Sequence, residues 1–528
     1  MTQRHAEVVL VGAPGSAARA VARALAQAKG WTLVDVDELR PSDRGDLENL
    51  LALAASPDRA PRLLLADTAL VDPLLRRRLY RGRRVVWLDA PVPRLVSRAR
   101  LGGEHWRASR RDPAEAIEDH LATMAPYYAA GERVDATGST PSIVDAVLHL
   151  LDQPSPPGTL VVRADTPLGV MEIGEGIVAR GIRDALSGAR AHRAAVLTDA
   201  ATWQQSGPEI SSALETAGLP FVLVDVPVGE SSKTIAAQTE LARELARKGM
   251  GRWDPIVALG DDRVCEATAF LAGVYLRGVP LITVPTTTLG QIDLGIGGKG
   301  AVNLDVGRNL LGIFHQSVGT VVDVRLLRGE DPRQRRAAMA EAVKYALLGD
   351  QDVFAILERA ARGAGDGIPD GDDLEELIER CSLAKLRIVV ADERDTAETR
   401  IALNLGHTLS HALETATEYE ILHGEAVAYG LRAALAIGLD LGETPPALAA
   451  RASRILDRLE LGTRRLDIDT SVLPSLIAAD KKRKHGHVRW VLARGSGVVV
   501  RHDVPADVVA RSVLAAVGGV VSSDASPG

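Results

Sequence analysis

Short, unbroken apolar runs recur along this chain, each followed by a stretch of helical periodicity. VVLVG at 8–12, LLLAD at 63–67 and VVWLD at 85–89 come first. AAVLTD at 194–199, FVLVDV at 221–226, PIVALG at 255–260 and LITVPTT at 281–287 follow. A short continuous apolar run without polar alternation reads as a strand buried on both faces. Its alternation with helices dictates a parallel sheet covered by helices, so the fold class is α/β. The first helix is expected at 17–29. From about residue 333 the strand signal fades, and long helical patterns at 333–347, 373–391 and 401–417 take over.

A chain of 528 residues exceeds what one core supports, so several domains are expected. QPSPPG at 153–158 is the clearest linker, because proline and glycine interrupt regular structure. The division expected is a first α/β domain over 1–152, the linker, a second α/β domain over 159–330, a mostly helical domain over 331–520 and a disordered tail over 521–528. The net charge of −7 argues against a general nucleic-acid binder. Arg76, Arg77, Arg78, Arg81, Arg83 and Arg84 form a local basic run, expected as the solvated face and end of a helix. The two cysteines, Cys265 and Cys381, exclude a disulfide framework and a cysteine zinc site. No signal-peptide layout opens the chain, and no apolar run reaches the roughly 18 residues of a membrane span. A reducing cytoplasm is the expected setting, with no membrane partner.

The first strand runs into a glycine turn and a helix, which is where a phosphate loop belongs. Gly12 is followed by Ala13, Pro14, Gly15 and Ser16, but Ala17, Ala18 and Arg19 stand where the loop needs Gly, Lys and Ser or Thr. The lysine for the phosphates and the hydroxyl for Mg²⁺ are both missing. Arg19 comes one position late and cannot ligate a metal. Over about 6–152 the chain resembles shikimate kinase, through this turn, DVD at 35–37, ADTALVDP at 66–73 and VVWLDAP at 85–91. The resemblance implies a shikimate contact for Asp37. The family's glycine triplet is Ala66, Asp67 and Thr68 here, and its substrate arginine is Met124. A P-loop-kinase-like domain that kept its core and lost its site is expected.

PTTTLGQIDLGIGGKGAVNLDVGRNLLGIFHQ at 285–316 has a different chemistry. Thr286 and Thr287 close an apolar run, at the strand end where α/β folds bind ligands. Gly297 and Gly298 let the backbone approach an anion. Lys299 and Arg308 supply charge, and Asn309 can donate to hydroxyl or phosphate oxygens. Further on, RIALNLGHTLSHALE at 400–414 sets His407 and His411 four apart, on one helical face. LHGEA at 422–426 adds His423 and Glu425. AEAVKYA at 340–346 adds Glu341 and Lys344, three apart. Two histidines and a carboxylate suit a catalytic zinc with an open position. The residues alone do not choose between His407 and His411.

From about 160 to 515 the chain resembles 3-dehydroquinate synthase and the wider sugar-phosphate cyclases, most specifically over 285–316. The resemblance implies a Rossmann-like α/β half that binds NAD and a mostly helical half that binds metal and substrate. It makes Glu341, His407 and His423 the ligands of Zn²⁺ or Co²⁺. It places His411 near the substrate phosphate and the proton-transfer path, and Asp293 and Lys299 near nicotinamide and substrate. Lys344, Lys385, Arg400 and Asn404 match groups that hold the substrate's carboxylate, hydroxyls and phosphate. The spacing from Lys385 to Arg400 is one residue longer than in the family. Lys481 or Lys482 would reach the phosphate, and Arg277 would serve a neighbouring subunit of a homodimer. Arg308 replaces a family lysine. PVGESSK at 227–233 matches an element whose Glu230 and Lys233 contact the adenosine half, and Asp199 matches an acidic cofactor position.

One departure stands at the cofactor. The family carries GGGxxGD after the strand, whereas this chain reads Gly260, Asp261, Asp262, Arg263, Val264, Cys265, Glu266. A like-charge contact at about 4 Å costs about 1 kcal/mol in water and about 4 kcal/mol when partly buried. Turned inward, the carboxylates weaken NAD binding, with Arg263 offsetting part of the charge. Turned outward, they are expected to strain dihedrals that suit only glycine. The implied reaction converts 3-deoxy-D-arabino-heptulosonate 7-phosphate to 3-dehydroquinate and phosphate, a lyase step of the shikimate pathway. The alternatives are another cyclase, acting on a substrate such as sedoheptulose 7-phosphate, and a pseudoenzyme with impaired NAD binding.

Overall fold

The computed structural model describes residues 7–39, 62–102, 112–154, 158–304, 307–363, 365–479, 488–495 and 497–518. Lys481, Lys482, the middle of the linker and the tail at 521–528 lie outside them, as does the side chain of Arg308. The chain forms two compact units. The first holds Met1–Ser187, Ser212–Ala217 and Gly319–Arg325, and the second holds Gly188–Ser211, Gly218–Val318 and Leu326–Gly528.

In the first unit, five parallel strands lie in the order Thr32–Asp35, Arg62–Ala66, Val8–Val11, Arg84–Asp89, Glu132–Asp135. Val8–Val11 is central and fully buried, as an unbroken apolar run requires. Helix Ala18–Lys29 buries Val21, Ala22, Leu25 and Ala26 on one face and ends on Gly30 in the left-handed conformation. The same unit contains the antiparallel pair Thr159–Thr166 and Gly169–Glu175, with Gly319–Asp323 parallel to the latter. Asp323 ties this group together by accepting from the amides of Gly176, Ile177 and Val178 at 2.9, 2.6 and 3.2 Å.

The arginine run departs from expectation. Arg76, Arg77 and Arg84 are buried, not a solvated face. Arg76 stacks 3.9 Å over the Tyr127 ring. Arg84 makes a two-pronged pair with Glu132 at 2.6 and 2.9 Å. For Arg76 and Arg84 these contacts offset part of the lost hydration.

In the second unit, four parallel strands lie in the order Leu281–Pro285, Ile256–Gly260, Ala194–Thr198, Phe221–Asp225. Helix Asp262–Val274 follows the second of these, and hairpin Lys299–Leu304/Gly307–Phe314 packs on it. The helical part contains Pro332–Leu347, Gln351–Arg362, Gly371–Ala391, His407–Ala416, His423–Asp440 and Pro446–Arg458. The helix foreseen over 401–417 is broken into a 3₁₀ turn, Arg400–Asn404, and helix His407–Ala416. Gly406 sits between them at φ 83. The reason is tertiary: a Cβ on Gly430 would stand 1.8 Å from the Gly406 carbonyl oxygen. The chain bends so that the two helices touch backbone to backbone. The region after 333 also carries a hairpin, Trp490–Arg494/Gly497–Arg501, which the fading strand signal did not announce.

Candidate active site

Three side chains from three helices meet in the second unit. Glu341 lies on Pro332–Leu347, His407 opens His407–Ala416, and His423 opens His423–Asp440. One atom from each lies within 4.8 Å of the others, a group able to hold a metal ion. Nε2 of His407 and of His423 stand 3.5 and 3.4 Å from Oε1 of Glu341, which is fully buried. Proximity is not hydrogen bonding here: Glu341 Oε1 and His423 Nε2 have no hydrogen-bond partner. The opposite ring nitrogens are engaged. Nδ1 of His423 lies 3.0 Å from Glu414, and Nδ1 of His407 lies 3.2 Å from the Leu405 carbonyl oxygen. With the proton of a neutral ring held on Nδ1 by these contacts, Nε2 is the nitrogen each histidine would offer to a cation. An unpartnered carboxylate oxygen and an unpartnered imidazole nitrogen, with Nε2 of His407 converging on the same point, fit a divalent cation of zinc type.

The electrostatics fit as well. Burial alone would raise the Glu341 carboxyl, but the Lys344 ammonium paired with it and His407 bring it down to about 2. Burial pushes His407 down to about 3. At His423, Glu414 and Glu341 outweigh burial and lift the imidazole to about 10. The carboxylate and one imidazole thus stand in their ligating forms at neutral pH, and cation binding at His423 would release a proton.

Beside this group lies a cleft of about 390 Å³. Glu266, Asp293, Lys299, Asn309, Lys344, Lys385, Arg400, Asn404, His407 and His411 all line it, drawn from positions up to 145 residues apart in sequence. Asp293 is its electrostatic hub. Its Oδ1 accepts from Lys344 at 3.2 Å, Lys385 at 2.8 Å and the Tyr345 hydroxyl at 2.5 Å. Burial opposes its ionisation, but the two ammonium groups hold it well below the usual carboxylate range. Burial, with Lys344 nearby, lowers Lys385 to about 8 against the attraction of Asp293. Arg400 donates to the carbonyls of Gly297 at 2.9 Å and Glu393 at 2.8 Å, which fixes its plane in the cleft wall. Lys299 pairs with Asp395 at 3.1 Å. The result is a concave, cation-rich surface suited to a small polyanion.

The strand ends hold the second group of expected residues. Lys233 is fully buried and donates to Glu266 at 2.5 Å and Asn309 at 2.6 Å. Glu230 accepts from Asn303 at 2.8 Å and from Arg263 at 3.3 Å. Asp199 caps the helix after its strand, accepting from the amides of Ala201 and Thr202 at 3.0 Å each. Thr287 accepts from Gly290 at 3.1 Å, and Thr286 donates its amide to the Gly260 carbonyl at 2.9 Å. Arg277 stands apart from the cleft, beside Arg252, Trp253 and His315, and has a left-handed backbone at φ 67.

The strain foreseen for the aspartates is absent. Asp261 has φ −67 and ψ −179, ordinary extended backbone, and Asp262 begins a regular helix. Asp261 is the cap of that helix, accepting from Val264 N–H at 2.9 Å. Three further residues escaped sequence reading: Tyr345, Glu414 and Asp395. Glu414 had a usable signal, seven residues after His407 on the same helical face.

Residues 223–337 match the family described as 3-dehydroquinate synthase N-terminal, and residues 338–483 match 3-dehydroquinate synthase C-terminal. A protein named 3-dehydroquinate synthase from Symbiobacterium thermophilum is 38% identical over 320 residues, covering 60% of this chain and 88% of that one. One of the same name from Mycolicibacterium vanbaalenii is 35% identical over 352 residues, covering 66% and 95%. Among solved structures, 2-epi-5-epi-valiolone synthase from Streptomyces hygroscopicus subsp. jinggangensis, with NAD⁺ and Zn²⁺ bound, is similar in fold. Its TM-score is 0.58 at 24% identity, covering 66% of this chain and 96% of that one. 2-Deoxy-scyllo-inosose synthase, complexed with carbaglucose-6-phosphate, NAD⁺ and Co²⁺, has a TM-score of 0.57 at 23% identity and covers 67% and 97%.

Proposed function

The chain belongs to the 3-dehydroquinate synthase family, and from that membership and the site geometry we propose that it converts 3-deoxy-D-arabino-heptulosonate 7-phosphate to 3-dehydroquinate and phosphate. The observation that carries this reading is the convergence of Glu341, His407 and His423 beside a cleft with four cationic side chains. The reaction is a carbon–oxygen lyase step, in which phosphate leaves and a carbon ring closes.

Glu341, His407 and His423 would hold Zn²⁺ or Co²⁺, and the strand-end residues would hold NAD. When bound, the cation acts as a Lewis acid toward a substrate hydroxyl and the dinucleotide supplies a transient oxidation that is reversed before product leaves. The chain's own groups do the rest. Lys385 and Arg400 face the substrate's carboxylate, and Lys299 and Lys344 add charge that keeps a dianionic phosphate seated. Asn404 and Asn309 offer amides to its hydroxyls. His411, whose ring meets that of His407 edge-on at 5.5 Å, is placed to move a proton between hydroxyl and phosphate.

For the first unit we propose a shikimate-kinase-like ancestry without kinase activity. Arg19 is committed to Asp35 at 3.2 Å. Asp37 accepts from Asp67 N–H, Thr68 Oγ1 and Ala69 N–H at 2.7, 2.7 and 2.8 Å, so the would-be acceptor contact is internally satisfied. A homodimer, with Arg277 reaching a neighbour's site, and a cytoplasmic setting complete the proposal. Among the described residues no helix is long and apolar enough to cross a membrane.

The test is phosphate release from the heptulosonate phosphate by the full chain, with NAD and Zn²⁺ or Co²⁺ supplied. Turnover that is lost in Glu341→Gln is the expected outcome. A folded protein with metal and NAD both bound that releases no phosphate would rule the activity out. Shikimate phosphorylation by ATP would overturn the reading of the first unit.

A further inference from the structure

An open α/β sheet receives a dinucleotide's diphosphate in the crevice beyond the C-terminal ends of its strands, against the N-terminus of the following helix. In this chain that crevice lies beyond Ala194–Thr198, Ile256–Gly260 and Leu281–Pro285, and helix Asp262–Val274 begins there. The helix terminus is already claimed from inside. Asp261 Oδ1 accepts from Val264 N–H at 2.9 Å, and its Oδ2 lies 3.4 Å from Arg263. The surrounding charges favour neither the carboxylate nor a second anion. Asp262 stands next to it on the same helix, and Asp199 faces it from the end of the neighbouring strand. Arg263 is shared with Glu230, at 3.3 Å. Lys233 gives its charge to Glu266 at 2.5 Å. An incoming diphosphate therefore meets a carboxylate seated in the position it needs.

We infer, on the reading of the site given above, that Asp261 is an internal competitor of the cofactor diphosphate. NAD binding requires this carboxylate to be neutral, so it weakens as pH rises and takes up a proton. Burial, and Asp262 beside it, lift the Asp261 carboxyl to about 6 against the Val264 amide and Arg263. Above that pH the free protein carries an anion at the site. A bound diphosphate favours the protonated form further, so proton uptake accompanies binding through the neutral range.

Asparagine caps helices about as well as aspartate, so Asp261→Asn keeps the fold and removes only the charge. NAD is titrated calorimetrically into the metal-loaded full chain and the variant, in two buffers of different ionisation enthalpy. The expected wild-type result at about pH 5.5, 6.5 and 7.5 is a Kd that rises up to ten-fold per unit above about 6, with uptake of about one proton at the highest pH. Asp261→Asn is expected to bind with a nearly constant Kd and no proton uptake. Wild-type binding that is flat with pH and takes up no proton overturns the inference, as does an Asp261→Asn slope equal to wild type. If neither protein binds NAD at any pH, the cofactor reading itself falls, and the competitor role falls with it.

Discussion

Lys385 and Asp293 lie at 2.8 Å, buried, with Lys344 sharing the same carboxylate. One carboxylate cannot stabilise two buried ammonium groups fully, and Lys385, at about 8, bears the difference. Its pKa is lowered, so the ammonium is present below about 8 and lost as pH rises through that value. If it holds a substrate carboxylate, kcat/KM falls on the alkaline side with an apparent pKa near 8, since that ratio reports the free enzyme. Lys385→Arg keeps its charge at all accessible pH and should move that limb upward, at a cost in KM from the altered geometry. A steady-state pH profile of both proteins decides it. At the metal cluster, the Glu414–His423 contact at 3.0 Å sets which imidazole nitrogen faces Glu341. Glu414→Ala should weaken zinc about 10- to 100-fold, read by competition with a chromogenic chelator, while leaving the three ligands in place. Glu341, His407 and His423 were legible as candidates because the resemblance singled them out, whereas spacing alone left His407 and His411 open. Glu414 and Tyr345 were not, because what they do depends on contacts that only the folded chain creates.

At the scale of elements, the site exists because two helices touch without side chains between them. Gly424 and Gly430 lie on His423–Asp440, and a Cβ on either would stand 2.0 Å from the Ala337 carbonyl oxygen or 1.8 Å from that of Gly406. The first contact brings the Glu341 helix in, and the second brings in the His407 turn, so that the His407 and His423 rings lie 5.3 Å apart. Gly430→Ala must push the His407 helix outward, with an overpacking cost of about 1–3 kcal/mol and a looser metal cluster. The expected signature is a lowered melting temperature together with weaker Co²⁺ binding. A variant that melts lower yet binds Co²⁺ as tightly would show that the helix contact does not set the cluster. The buried strands and long helices were readable because each is one apolar period long enough to be unambiguous. The break at Gly406 was hidden, since it answers a glycine 24 residues downstream. The hairpin at 490–501 was hidden too, being short strands in a helical setting. Asp261 and Asp262 misled for a related reason. Glycine's dihedrals do not follow from glycine's position in relatives: the backbone there is extended and then helical.

At the scale of the whole chain, the first unit extends beyond residues 1–158. The hairpin Thr159–Thr166/Gly169–Glu175 and the strand Gly319–Asp323 belong to the same compact unit as the five-stranded sheet. Helices Pro73–Tyr80 and Pro113–Tyr128 pack on Thr159–Thr166, whose Leu160, Val161 and Val162 are buried. Arg180 donates to the Ala130 carbonyl at 3.4 Å. Removing residues 1–158 would leave an apolar strand exposed along one face, with about 25 cal/mol lost for each Å² of apolar surface returned to water. An exposed strand is also a template for intermolecular pairing. A chain truncated to 159–528 is therefore expected to melt several degrees below the full protein and to elute partly as aggregate. Zinc binding should survive, because Glu341, His407 and His423 all lie in the other unit. Thermal unfolding, size-exclusion chromatography and a zinc titration on the two proteins test this. A truncated chain that matches the full protein in melting temperature and remains monodisperse would mean that residues 1–158 contribute nothing to the stability of the rest of the chain. A truncated chain that folds but loses zinc would mean that the metal cluster depends on the first unit after all.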